Sequence, residues 1–347
     1  GLAQASLGPS RLCRCPSDPP SAPPLRRTQS LHVMATATEV HVDWTPAESP
    51  EEVRHGEFDL SHAHTPPTVG DVVGQRGTVV CISRASLSDA VDLLTVHDRT
   101  SAGIVDDQGT LQGVLTENDL MLAYGGRVGA GTAVRAWLRS GFARLPGSEV
   151  PDQTVRPSTT LLEAAVRMRS HIFTESSCHH LVVLGEEGQF HGVLSSLDLA
   201  RAICVLQGLR GTTVSEVMKH RRDLLWCSPS ETMADALGKM ATVHQNCVLV
   251  ANDDEVLGIV TPRDALRAFG EHVPLETDLC HWLRGLQASW ESRQISAGAK
   301  VAEAAAAMAA GSMHHLVAMS PEGEVMGVLS TLDLARAIAT DEDIVLC

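Results

Sequence analysis

From Val69 onward the apolar positions of this chain follow two alternating periods. Short runs of branched apolar residues, such as Thr78-Val79-Val80-Cys81-Ile82 and Leu224-Leu225-Trp226, have the length and composition of buried strands. Between them the apolar residues fall at helical spacing, as Leu161, Ala164, Ala165 and Met168 do. The spacing predicts helices over 86–96, 160–169, 230–240 and 299–309, opened by hydroxyl or acidic caps. After each comes a pair of strands joined by an acidic turn, such as Gly185-Glu186-Glu187-Gly188 or Pro321-Glu322-Gly323-Glu324, and then a second helix. The predicted order is β-α-β-β-α, four times, which is an α/β architecture of the α+β type.

The second strand of each pair ends in one motif: Gly, two branched apolar residues, a hydroxyl residue, two variable positions and Asp. It reads Gly113-Val114-Leu115-Thr116-Glu117-Asn118-Asp119, and recurs as 192–198, 258–264 and 327–333. Gly113 and Gly258 stand 145 positions apart (258 − 113), as do Trp137-Leu138-Arg139 and Trp282-Leu283-Arg284 (282 − 137). Two unrelated landmarks at one offset indicate a duplicated block. The doublets His179-His180 and His314-His315 support this, because each precedes its motif glycine by 13 positions (192 − 179 and 327 − 314). The first block is longer in its second half, and the surplus is expected as loop insertions around 148–156 and 171–177.

Composition narrows the function. The chain has 347 residues, 44% hydrophobic, with a net charge of −15. Such an acidic balance repels phosphate backbones and anionic lipid, so partners among nucleic acids or membranes are not expected. No run of about 18 apolar residues is present to span a bilayer. Residues 1–68 read as a tail and linker: the Pro-, Ser- and Arg-rich start cannot bury enough apolar surface to repay ordering and is expected to be disordered. The Arg and Ser enrichment also suits an organelle transit segment, while the rest of the chain reads as cytoplasmic. His62-x-His64 lacks a third ligand, and no metal site is expected. The nine cysteines include no CxxC pair and read as free thiols in a reducing compartment. No phosphate-binding Walker loop, nucleophile elbow or HExxH is written anywhere, so no enzyme is expected.

The motif itself has two readings. Ser/Thr-x-x-Asp where a strand enters a helix is a capping pattern. Yet Glu or Gln is the usual third-position partner, and all four copies carry Asp. A short carboxylate left pointing outward could accept both hydroxyls of a ribose, beside a helix start whose free N–H groups suit a phosphate.

On these motifs each quarter resembles a CBS (cystathionine β-synthase) domain. The resemblance implies four CBS units paired as two Bateman modules, over 69–206 and 212–340. It implies that Asp holds ribose and Ser/Thr holds ribose or phosphate, at Thr116/Asp119, Ser195/Asp198, Thr261/Asp264 and Ser330/Asp333. The His doublets resemble the His-Arg doublets that contact phosphates in the regulatory γ subunits of AMP-activated protein kinase. Here His180 and His315 stand where Arg is expected, which weakens the clamp and favours AMP or ADP over ATP. Each doublet is expected to open a strand, so that one member of each faces the cleft. Arg263, the one basic residue within the four motifs, is either a phosphate contact or a solvated first-turn residue. Arg201 and Arg336 are expected to face the central cleft.

Taken together, the reading is a non-catalytic regulatory protein with no catalytic cofactor, whose regulatory ligand is an adenosine nucleotide bound between paired repeats. Its protein partner would be a kinase or other regulated enzyme, and it would act as a single-chain disc or a homodimer. The alternative is an interaction scaffold of the same fold, in which every Ser/Thr-x-x-Asp is only a cap.

Overall fold

A computed structural model describes residues 66–140, 153–170, 178–203, 209, 211–252, 255–286 and 290–340, all within one compact unit that begins at Arg54. The N-terminal tail, its His62-x-His64 and most of the two expected loop insertions lie outside the described residues.

The expected order of elements recurs four times. A short helix α1 (Val69–Arg76) precedes repeat 1, which runs β1 (Val80–Ile82), α2 (Leu87–Val96), β2 (Ser101–Val105), β3 (Leu111–Thr116) and α3 (Glu117–Gly125). After α4 (Val134–Arg139), repeat 2 runs β4 (Thr154–Val155), α5 (Leu161–Ser170), β5 (His180–Leu184), β6 (Phe190–Ser195) and α6 (Ser196–Ile203). Then α7 (Val214–Val217) and β7 (Lys219–His220) lead into β8 (Trp226–Cys227), α8 (Met233–Val243), β9 (Val248–Ala251), β10 (Val256–Val260) and α9 (Pro262–Gly270). Finally α10 (Leu279–Arg284) precedes β11 (Gln294–Ser296), α11 (Val301–Ala310), β12 (His315–Met319), β13 (Val325–Ser330) and α12 (Thr331–Thr340).

In every repeat the first strand pairs parallel to the second, which needs the intervening helix as a crossover, and the second pairs antiparallel to the third across a tight turn. Two expectations shift. The helix expected from Ser230 begins at Met233, because Thr232 closes a capping box with Asp235. The helix expected from Ala299 begins at Val301 behind Lys300, which makes no side-chain cap.

The motif glycines have a packing role. The short segment ahead of each odd repeat presses onto the closing strand of the even one. A Cβ on Gly192 would meet Val73 of α1, and one on Gly327 would meet the Lys219 carbonyl of β7, which extends the last sheet by pairing with β13. At Gly258 it would meet Leu283 of α10.

Helices carry the other contacts. One core joins α5 and α6 of repeat 2 to α11 and α12 of repeat 4, with Leu161, Met168, Leu197, Ala304, Ala305 and Leu334 almost wholly buried. The Ala-rich helix is a tight packing surface against α6, as its small residues suggest. A second core joins repeats 1 and 3 through α2, α3, α8 and α9, where the rings of Tyr124 and Phe269 stack at 5.4 Å. Repeats 1 and 2 meet along their sheets, with Phe190 against Gly103, and a smaller cluster around Leu249, Ile259, Val317 and Val328 joins the sheets of repeats 3 and 4. Sheet contacts (1–2 and 3–4) and helix contacts (1–3 and 2–4) therefore close a cycle of four. No helix among the described residues is long and apolar enough to cross a membrane.

Candidate functional site

A cavity of about 680 Å³ lies where the four repeats meet. Repeat 1 contributes Thr116 and Asp119 to its wall, repeat 2 His179 and His180, repeat 3 Thr261 and Arg263, and repeat 4 Arg293, His314 and His315. Eight of the thirteen expected site residues thus converge on one place. Ser195 and Asp198 instead line a second hollow of only about 20 Å³ between repeats 1 and 2. Asp264, Ser330 and Asp333 line neither hollow.

In all four motifs the acid closes a capping box. One carboxylate oxygen accepts from its own N-cap amide at 2.8 Å for Asp119 and Asp198, and at 2.9 Å for Asp264 and Asp333. The same oxygen accepts from the Thr or Ser hydroxyl at 2.6–2.7 Å. This corrects the expectation of an outward-pointing carboxylate. Asp at the third position is not peculiar to the motif either, since Thr68/Asp71, Ser86/Asp89 and Thr232/Asp235 form the same box elsewhere. A carboxylate has more acceptor positions than the cap uses. At Asp198, Asp264 and Asp333 arginines take them. Asp198 accepts from Arg76 and, at 3.3 Å, Arg201. Asp264 accepts both ends of the Arg293 guanidinium at 3.0 and 3.1 Å. Asp333 accepts from Arg336 at 2.9 Å. Asp119 is half-buried on the wall of the large cavity. Burial would raise the Asp198 carboxyl, but Arg76, Arg201 and the Ser195 cap outweigh it and hold it below the usual range.

Arg263 is not a solvated first-turn residue: it lines the cavity and is held from several sides. Its Nε donates to Glu117 Oε1 at 2.8 Å and its Nη1 to Asp98 Oδ1 at 2.7 Å, with a further bond to the Ser312 carbonyl at 3.2 Å. It is a strut from repeat 3 to repeats 1 and 4. Glu117 is buried, and that burial raises its carboxyl despite Arg263. Arg201 and Arg336, expected to face the cleft, turn to their own helices' aspartates, Asp198 and Asp333, and do not line the large cavity.

Both members of each His doublet line the cavity, not one of each. The strands begin at the second histidine, so His179 and His314 lie before them and escape the alternation of faces. All four imidazoles are held neutral. Burial, then His180, His315 and Arg336, pull His179 down to about 3. Burial brings His180 to about 4, and burial together with Arg293 brings His315 to about 4. His314 falls well below its ordinary value through burial, Arg263 and the other three rings. Among the described residues no group of three or more His, Cys, Asp or Glu is arranged to hold a metal. Arg293, Glu117, Asn246 and Ser312 were not singled out from the sequence; they reach the site from loops, turns or helix starts of repeats 1, 3 and 4, with no local pattern to mark them.

Comparison with known proteins bears on what this arrangement belongs to. The CBS domain family model matches residues 69–126, 148–205 and 214–271. These are three of the four repeats, and the fourth has the same order of elements. Protein MJ1225 of Methanocaldococcus jannaschii, described as a suggested archaeal homologue of γ-AMPK, shares the fold at a TM-score of 0.60 and 14% identity, over 78% of this chain and 99% of that one. The arabinose 5-phosphate isomerase KdsD of Yersinia pestis is 29% identical over 154 residues, and the L-aspartate semialdehyde sulfurtransferase of M. jannaschii is 28% identical over 121. These matches take in 44% and 35% of this chain, but only 43% and 22% of the two enzymes' own lengths. With half of the chain matched by the family model and the fold repeated four times, the chain belongs to the CBS-domain family.

Proposed function

We propose that this chain is a non-catalytic regulatory protein that binds one adenosine nucleotide where its four repeats meet, and that occupancy modulates a partner protein in the cytoplasm. The observation that carries the reading is the shared cavity of about 680 Å³, within the size range of small-molecule sites and lined by Thr116, Asp119 and both His doublets. In this reading the ribose lies against the capped Thr116/Asp119 pair. Val114, Met121 and Met240 wall the adenine, and the phosphate lies toward Arg293 and the histidines. The two Bateman modules, 69–206 and 212–340, would be the bodies whose relative orientation the ligand biases. Only a difference in affinity for two orientations can shift them.

The electrostatics favour AMP or ADP over ATP. Both cavity arginines already face carboxylates, Arg263 with Glu117 and Asp98, and Arg293 with Asp264, while the imidazoles are neutral. Little positive charge is left for a triphosphate. One observation favours the scaffold reading instead: all four aspartates cap, and Asp198, Asp264 and Asp333 hold an arginine as well.

Equilibrium binding of radiolabelled AMP, ADP and ATP separates the two. For Asp119→Ala, AMP affinity should fall by about tenfold or more, the worth of a charge-assisted hydrogen bond of about 1.5–3 kcal/mol. Asp235→Ala, which removes a matching cap on α8, should bind like the wild type. Equal binding by Asp119→Ala, or no saturable binding by the wild type, would favour the scaffold.

A further inference from the structure

Glu117, the first residue of α3, stands on the cavity wall between the two members of a cap in which it takes no part. It is 7% exposed, and one of its carboxylate oxygens, Oε1, accepts from Arg263 Nε at 2.8 Å. Among the described residues no donor bonds the other oxygen, Oε2. Unlike His314 Nε2 and His315 Nδ1, Oε2 is not sealed within the protein. A carboxylate placed this deeply, with one oxygen unmet, is costly unless a donor reaches it.

From this placement we propose that Glu117 Oε2 reads the base of the ligand, accepting from the exocyclic 6-amino group and so selecting adenine over 6-oxopurines. Met121 is one helical turn further along α3, on the same face as Glu117, and it walls the base in the reading above. Asp119 lies two positions on, more than half a turn round the helix, and closes the cap with Thr116. The phosphate end is excluded by sign, because an ionised carboxylate repels it at short range. Arg293 and the histidines stand ready for that end from other repeats. What remains for Oε2 is a neutral donor on the base.

Adenine presents an amino group at position 6, whereas hypoxanthine and guanine present a carbonyl oxygen there. Two acceptors facing each other discriminate between near-isosteric purines more sharply than shape does. That the ligand is a purine nucleotide rests on the reading above; which purine it is follows from Glu117.

Glu117→Gln gives a readout that a merely structural role would not move. Arg263 Nε can only donate, so the glutamine carbonyl must face it and the amide NH2 group takes the place of Oε2. The wall then offers a donor where it had an acceptor, with the side-chain shape kept. Calorimetric titration of the full chain with AMP, purine riboside 5′-monophosphate and IMP measures the consequence. The wild type should bind AMP about tenfold or more tighter than purine riboside 5′-monophosphate, which lacks only the amine, and should bind IMP more weakly still. Glu117→Gln should reverse the order and bind IMP tighter than AMP. If the variant fails to fold, the wild-type series decides alone. AMP bound no tighter than purine riboside 5′-monophosphate would overturn the role of Glu117 and leave the nucleotide reading standing, as would a variant that keeps the wild-type order. A wild type that prefers IMP would mean that Oε2 carries a proton, and would overturn the role as well. No saturable binding of any of the three would sink both.

Discussion

Acidification from pH 7 to pH 5 is expected to cost this protein a large part of its stability through its buried histidines. His179, His180 and His315 have folded-state values of about 3, 4 and 4, and His314 is also far down, against about 6.5 when unfolded. The folded value is depressed, so the neutral rings favour the native state fully above pH 6.5. That stability is lost as the pH falls toward the folded values, because only the unfolded chain takes up protons. Each ring contributes a slope of about 1.4 kcal/mol per pH unit. The three rings at about 3, 4 and 4 give about 5 kcal/mol between pH 6.5 and 5 as an upper bound, His314 acts in the same direction, and solvent reaching the cavity should bring the total to roughly half. Against a native stability of about 5–15 kcal/mol, that is a large share. Asp198 acts in the same direction only below the ordinary carboxylate range. Urea unfolding at pH 7, 6 and 5 checks this. A midpoint that stays flat to pH 5 would mean that the rings are already solvated.

The second large effect concerns the strut across three repeats. Removing Arg263 leaves Glu117, itself 7% exposed, without its counter-charge. Breaking a buried pair costs about 3–5 kcal/mol, because the surviving charge must be desolvated alone or protonated. The Arg263 side chain is 31% exposed, so the lower end applies. Arg263→Met should therefore destabilise by about 3 kcal/mol, and adding Glu117→Gln should recover much of the loss, since the stranded charge is gone. Urea unfolding of both variants gives the comparison. A loss below about 1 kcal/mol for Arg263→Met would class the contact with ordinary surface pairs.

What the sequence disclosed follows from which forces are local. Period and turn chemistry lie within a few residues, so the four β-α-β-β-α units could be read from Leu161, Ala164, Ala165 and Met168 and from the repeated motif. Which units share a core is non-local. Nothing in α5 announces that it packs on α12, or in α3 that it packs on α9. The same limit explains Arg293 on Asp264 and Arg76 on Asp198, which meet across 29 and 122 positions of chain. The aspartates mislead for a different reason: one residue pattern serves a helix cap and a sugar grip, and only the observed bonds at Asp119, Asp198, Asp264 and Asp333 separate the cap from what remains. The His doublets were legible as a pair of pairs. Their facing was not, because the strands open one residue later than the pattern suggests.

The most direct trial of the central claim is a crystal structure of the chain grown with AMP. The account predicts one nucleotide per chain in the central cavity, its ribose against Thr116 and Asp119 and its phosphate toward Arg293 and the histidines. Density in the outer cleft at Asp198 or beside Asp333 with the centre empty, or no bound nucleotide at millimolar AMP, would contradict it.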